Sequence, residues 1–183
     1  MKIILLGGCP GSGKTTISNY LGVKYKISTI INIDVIKQTI KMFVSDDYLN
    51  TTSHEASKVE NLDIINAYLK HSRVVNKYIK ELISKLKDKI IIIEGVTVNK
   101  ELYDELSNDY EVLYLNIFAS KNTLINHYEK KSLIRKSNWI DNFETIITIG
   151  DYLFSESDIN IESKNIKKTL KEVYLYVEKF LYD

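Results

Sequence analysis

Gly8, Gly13, Lys14 and Thr15 stand in the spacing G-x-x-x-x-G-K-T within the run Gly7-Gly8-Cys9-Pro10-Gly11-Ser12-Gly13-Lys14-Thr15-Thr16. Glycines at this spacing let the backbone curl until successive N–H groups face a phosphate, and a helix that starts at the end of the loop adds the positive end of its dipole. A lysine in this position reaches the β- and γ-phosphates, and the hydroxyl after it can hold Mg²⁺. Gly8, Gly11, Ser12, Gly13, Lys14, Thr15 and Thr16 are therefore the expected nucleotide-binding residues, with ATP or GTP and Mg²⁺ as the implied cofactors. A strand-to-helix turn without a ligand would need neither Lys14 nor Thr15. Cys9, inside the loop, reads as a small filler rather than a nucleophile.

Other residues could supply the remaining chemistry. Asp34 follows an apolar stretch, where it could orient an acceptor hydroxyl or take its proton, or simply cap a helix. Glu94 ends the run Lys89-Ile90-Ile91-Ile92-Ile93-Glu94-Gly95, where it could hold Mg²⁺ through water or touch the acceptor. Thr51-Thr52-Ser53-His54-Glu55-Ala56 packs hydroxyls, an imidazole and a carboxylate into a predicted helix start, which serves either as a cap or as a seat for an acidic acceptor. The stretch from His127 to Lys136 carries Lys130, Lys131, Arg135 and Lys136, either as a solvated basic face or as a lid that brings cations over the transferring phosphate.

These residues need elements to hold them. Lys2 to Leu6, Ser28 to Ile33, Lys89 to Gly95, Val112 to Phe118 and Asp158 to Ile161 read as strands, and apolar residues at helical spacing lie between them. Ile36, Ile40 and Phe43 mark a helix behind Asp34. Ala56, Val59, Leu62, Ile65, Leu69, Val75, Ile79, Leu82 and Leu86 mark a long helical region with a possible break near Lys70. Helices are also predicted from Leu124 into the basic stretch, from Trp139 to Phe154, and through Leu170, Val173, Val177 and Leu181. Ser45 to Ser53 is polar and turn-like. Strand and helix in alternation predict a doubly wound α/β domain with a mainly parallel sheet and helices on both faces. That arrangement puts the loop, Asp34 and Glu94 at the carboxyl edge of the sheet.

The chain has 183 residues, 44% of them hydrophobic, with 25 Lys and Arg against 24 Asp and Glu. This is enough for one closed core, and the expectation is a single domain over residues 1–183. A net charge of +1 supplies no field to draw the protein onto duplex nucleic acid or an anionic membrane, so the expected partner is a small molecule. One cysteine forms no disulfide framework, and with no leader or transmembrane run in the sequence the expected location is the cytoplasm. An Asn-Lys-x-Asp of guanine-specific switches is missing: Asn76-Lys77 and Asn99-Lys100 both lack the aspartate. Arg73 and Arg135 are the only arginines, so few planar forks are available to grip a phosphate.

With these pieces assembled, the chain resembles the phosphate-loop domain of the 2-phosphoglycerate kinases, within the nucleoside-monophosphate-kinase-like proteins. The matching stretches are Gly7 to Ile17, Ile33-Asp34-Val35-Ile36-Lys37, Thr51 to Ala56, Ile91-Ile92-Ile93-Glu94-Gly95-Val96, and Trp139-Ile140-Asp141-Asn142-Phe143 leading to Asp151-Tyr152-Leu153. Lys37 stands where that pattern usually has arginine, and Thr97 where histidine is common. The resemblance implies a three-layer fold with a five-stranded parallel sheet in the order 2-3-1-4-5, ATP and Mg²⁺ at the first loop, and phosphorylation of a hydroxyl on a small acidic metabolite. It makes Lys14, Asp34 and Arg135 the catalytic residues, with Arg135 in a lid at about 128–138. Lys37, His54, Glu55, Arg73 and Glu94 join Asp34 as substrate-binding residues, and Thr15 and Glu94 serve the metal. Two other readings share the loop: a kinase acting on polynucleotide ends or nucleotides, and a nucleotide sensor without catalysis. Residues 162–165, after the fifth predicted strand, are positioned to meet the base.

Overall fold

Ile3, Ile4, Leu5 and Leu6 of β1 (Lys2–Gly7) and Ile91, Ile92 and Ile93 of β3 (Ile90–Glu94) are wholly buried, as the inner strands of a sheet covered on both faces must be. The computed structural model describes residues 1–44, 63–135 and 142–183, with 131–135 described by their backbone alone. Between and after these strands come α1 (Lys14–Tyr25), β2 (Thr29–Asn32), α2 (Ile33–Lys41), α3 (Ile64–Lys85), α4 (Lys100–Leu106), β4 (Glu111–Phe118), α5 (Lys121–Arg135), α6 (Phe143–Glu156), β5 (Asn160–Glu162) and α7 (Ile166–Tyr182). The strands form one parallel sheet in the order β2-β3-β1-β4-β5.

Strand alternation divides the core in two. Ile3, Leu5, Ile91 and Ile93 pack with Val75, Ile79 and Ile83 of α3 and Leu102 and Leu106 of α4. Ile4, Leu6 and Ile92 point the other way, onto Ile17 and Leu21 of α1 and Leu170, Val173 and Val177 of α7. Two layers of helix therefore clamp the sheet and fix its carboxyl edge. Among the described residues, no helix is long and apolar enough to cross a membrane.

Several elements differ from the sequence expectation. β2 ends at Asn32, and Asn32 rather than Asp34 caps α2, its Oδ1 accepting from the Val35 N–H at 3.0 Å. Helix α3 runs through Lys70 without a break. The apolar period falters there because His71, Ser72 and Asn76 occupy its buried face; Asn76 donates to the Thr97 carbonyl at 3.1 Å, so a polar residue is buried with a backbone partner. Residues 128–135 of the expected lid continue α5 as its last two turns. β5 is shifted to Asn160–Glu162, and α6 begins at Phe143. The predicted turn at 45–53, the apolar positions Ala56, Val59 and Leu62, and residues 136–141 with Trp139 lie outside the described residues.

Gly95 shows how closely β3 and α2 approach. A Cβ built there would lie 2.8 Å from the Cβ of Ile33, which is 1% exposed at the first turn of α2. The contact is made by the stem of the side chain, so no rotamer change relieves it. Gly95→Ala should therefore cost about 1–3 kcal/mol in urea unfolding, and Ile33→Ala, which keeps the clashing Cβ, should not rescue it. Unchanged stability in the single variant would show that α2 can shift away freely.

Candidate active site

The phosphate loop has Gly8, Gly11 and Gly13 at φ values of 137°, 84° and 97°. Gly8 is also excluded from any other identity by contact, since a Cβ there would lie 2.1 Å from the Ile117 carbonyl oxygen of β4. Ser12 is fully buried, and its Oγ has no hydrogen-bond partner among the described residues. Lys14, at the start of α1, is 6% exposed and donates from Nζ to the Cys9 carbonyl at 2.9 Å, across the loop. His127 of α5 meets the loop from the far side, with Nδ1 2.8 Å from the Gly11 carbonyl oxygen. A carbonyl only accepts, so Nδ1 carries the hydrogen in this contact. Cys9 packs beside Leu124 and Ile146, and burial pushes its thiol up despite the nearby Lys14 charge. It is a filler held as the unreactive thiol.

Glu94, at the carboxyl end of β3, is 2% exposed. Its Oε1 accepts from the Thr15 hydroxyl at 2.8 Å and from the Asn32 amide in a short hydrogen bond. One carboxylate oxygen thereby joins the start of α1, the end of β2 and the end of β3. Because the other end of the Asn32 amide caps α2, that cap also fixes where Asp34 stands, exposed in the first turn.

Two adjoining cavities follow from this arrangement. The first, of about 420 Å³, has Gly11, Gly13, Lys14, Thr15 and Thr16 on one side, with Asp34, Glu94, His127 and Lys130 around it. The second, of about 320 Å³, lies between α2, α3 and α6 and is lined in part by Lys37, Tyr68, His71, Thr97 and Asn142. Pro10, Asp34 and Val96 line both. Asp34 thus stands at the boundary between the cavity at the phosphate loop and a separate pocket.

The expected residues are distributed as follows. Gly11, Gly13, Lys14, Thr15, Thr16, Asp34 and Glu94 meet at the first cavity, Gly8 and Ser12 lie packed in the loop, and Lys37 joins Asp34 at the second cavity. Arg73 is not brought there. Its guanidinium is exposed and bound to Glu101, with Nη2 2.6 Å from Oε1 and Nε 3.0 Å from Oε2, and this pair holds it above the usual arginine range. It lines neither cavity, because its position on α3 faces α4. Arg135 is the last residue of α5, described by backbone alone, and His54 and Glu55 lie outside the described residues. In the segment after β5, Asn165 caps α7 and Glu162 pairs with Lys164, whereas Ser163 adjoins the loop: a Cβ on Gly13 would come within 3.1 Å of its Oγ.

The sequence did not single out Asn32 as a site residue, and His127 and Lys130 entered it only within a basic stretch that was either a solvated face or a lid. Asn32 had a readable signal, an amide three residues before Val35 at a helix start. His127 and Lys130 are three apart on α5 and so share a face, which the reading of the stretch as a charge run concealed.

No protein-family model matches the chain. In sequence it is 23% identical to the 2-phosphoglycerate kinase of Methanopyrus kandleri over 96% of this chain and 60% of that protein, and 27% identical to that of Methanocaldococcus jannaschii over 82% and 53%. It is also 27% identical to the mevalonate-3-phosphate 5-kinase of Thermoplasma acidophilum, over 57% of this chain and 55% of that protein. The chain therefore spans a little over half the length of these relatives. In structure it is similar to the shikimate kinase from Bacteroides thetaiotaomicron, with a TM-score of 0.59 at 12% identity, covering 96% of this chain and 98% of that one. A gluconokinase from Sinorhizobium meliloti gives a TM-score of 0.59 at 10% identity, covering 97% and 92%. The chain has the fold of the P-loop kinases, and its relatives in sequence bear out its resemblance to the 2-phosphoglycerate kinases.

Proposed function

We propose that the chain transfers the γ-phosphate of ATP, in the presence of Mg²⁺, to a hydroxyl of a small acidic metabolite. The observation that carries this reading is the position of Asp34 on the shared wall of the two cavities, with the phosphate loop on one side and a pocket containing Lys37 and His71 on the other. The loop fits a nucleotide phosphate: Gly8 is closed to any Cβ, and the buried Ser12 hydroxyl has no partner among the described residues. The Thr15 hydroxyl, held by Glu94, is an oxygen donor suited to a hard divalent cation.

The chain's own residues divide the work. Lys14 and the loop amides place positive charge around the transferring phosphate, and His127 and Lys130 close the same cavity from α5. Bound Mg²⁺ supplies neutralisation of the charge spread over the phosphate oxygens. Thr15 gives its hydrogen to Glu94, which turns the hydroxyl lone pairs away from the carboxylate and leaves them for the cation; Glu94 is then a positioning residue. Asp34 accepts the hydrogen bond of the acceptor hydroxyl and aims an oxygen lone pair at the phosphate. Arg135, at the end of the helix that carries His127 and Lys130, is the lid cation in this reading.

Incubation with γ-labelled ATP, Mg²⁺ and a mixed metabolite pool should label a hydroxy acid; ATP binding with no labelled product would favour a sensor. Lys14→Ala should lower turnover at least about 100-fold, about 2.7 kcal/mol, and Asp34→Asn should lower turnover to a similar degree while leaving ATP affinity unchanged. Arg135→Lys should cost about tenfold or more in turnover, about 1.4 kcal/mol, with the circular dichroism spectrum of the native protein. An unaffected rate would remove Arg135 from the site.

A further inference from the structure

Helix α5 docks on the phosphate loop at Gly11. A Cβ there would lie 3.0 Å from the Tyr128 ring and 3.5 Å from the Leu124 side chain, and the Gly11 carbonyl oxygen is 2.8 Å from His127 Nδ1. The contact settles where that ring carries its hydrogen, because the carbonyl has none to give and Nδ1 must supply it. Nε2, at the other end of the ring, makes no hydrogen bond among the described residues, and the half-buried ring leaves it open to solvent. The ring lines the first cavity together with Lys14, Thr15 and Lys130.

A phosphate in that cavity meets a ring with one good state. With Nδ1 committed to Gly11, a neutral ring turns the Nε2 lone pair toward phosphate oxygens that carry lone pairs of their own. Moving the hydrogen to Nε2 would set the Nδ1 lone pair against the Gly11 carbonyl instead. A second proton, taken from the buffer, removes the conflict: the imidazolium donates from both nitrogens, and its bond to phosphate is charge-assisted. Histidine can take such a proton near neutral pH. We propose that His127 is a phosphate-binding residue that acts as the imidazolium, so that ATP binding takes up a proton at Nε2. This rests on the reading of the first cavity as the site of the ATP phosphates. The other charged groups around the cavity are Lys14 from the loop, Lys130 from α5 itself, Asp34 from α2 and Glu94 from β3. Burial pushes the Cys9 thiol and the Tyr128 hydroxyl up, so neither ionises near neutral pH.

Calorimetry reads the proton directly. ATP is titrated into the full chain at about pH 7, without acceptor and with Mg²⁺ in excess so that the phosphate oxygens enter ionised, in buffers that differ in ionisation enthalpy. The native protein should take up about half a proton or more per ATP bound. His127→Asn sets an amide N–H where Nδ1 stands, which keeps a donor for Gly11 and removes the titrating nitrogen; it should take up none. The complex holds more protons than the free protein, so native affinity should fall as pH rises, about fivefold or more between pH 6 and pH 8, and stay level in the asparagine variant. His127→Arg, a permanent cation, should bind ATP at pH 8 at least as tightly as the native protein and without uptake. No uptake by the native protein, which needs no variant to fold, would overturn the proposal. So would equal uptake in the asparagine variant, or arginine binding more weakly than asparagine, since His127 would then only prop the loop. Transfer assays on the same samples keep the two proposals apart. Proton-linked binding without labelled product would end the kinase reading and leave this one standing, transfer without proton uptake would do the reverse, and failure to bind ATP would end both.

Discussion

A carboxylate that is 2% exposed must be satisfied where it stands, and Glu94 is satisfied by groups from two other elements. The Thr15 hydroxyl reaches it from the first turn of α1, and the Asn32 amide reaches it from the end of β2. Both donate to the same oxygen. Removing either donor leaves part of a buried charge without compensation, so the three chain segments are held at one mutual distance. The consequences spread along the chain. Thr15 anchors the loop that precedes it, and Asn32 sets the start of α2 through its bond to Val35, which in turn places Asp34 and Lys37.

The sheet makes this convergence possible. Strand order β2-β3-β1-β4-β5 puts β3 beside both β1 and β2, so the ends of three adjacent parallel strands open onto the same edge. Continuous isoleucine in β3 and continuous isoleucine and leucine in β1 keep those ends in register, because both faces are pinned by helices. On the other side of β1, the Ile117 carbonyl of β4 bears on Gly8, and α5 returns over the loop to place His127 on Gly11. A loop that must face phosphate is thus braced from below by a strand and from above by a helix. Preorganisation of this kind is what electrostatic stabilisation of a transferring phosphate requires.

The parts of this arrangement that follow local rules were readable from the sequence. The phosphate loop has a spacing set by its own backbone geometry, the parallel sheet has its apolar strands, and Asp34 just after β2 and Glu94 at the end of β3 declare the edge. What local rules miss is long-range pairing. Arg73 was expected to face the acceptor, but its partner is Glu101, 28 residues away, and only the docking of α4 on α3 brings the two together. Polar residues on a buried helical face misled in the same way: α3 runs unbroken through His71, Ser72 and Asn76, and the Asn76 amide finds its partner in the Thr97 carbonyl. The cap at Asn32 was legible in principle, but Asp34 two residues later offered a competing and equally good capping side chain.

In the proposed function, Thr15 and Glu94 act as one unit that presents a hydroxyl oxygen to Mg²⁺. The direct measurement is a double-mutant cycle on the Mg²⁺-dependent affinity for ATP, using Thr15→Val, Glu94→Gln and the two combined. The predicted result is strong non-additivity: once either residue is changed, the second change adds little, with a coupling energy of about 1 kcal/mol or more. Losses that sum to within about 0.3 kcal/mol would contradict it, since independent residues could not be sharing the placement of a single metal-facing oxygen.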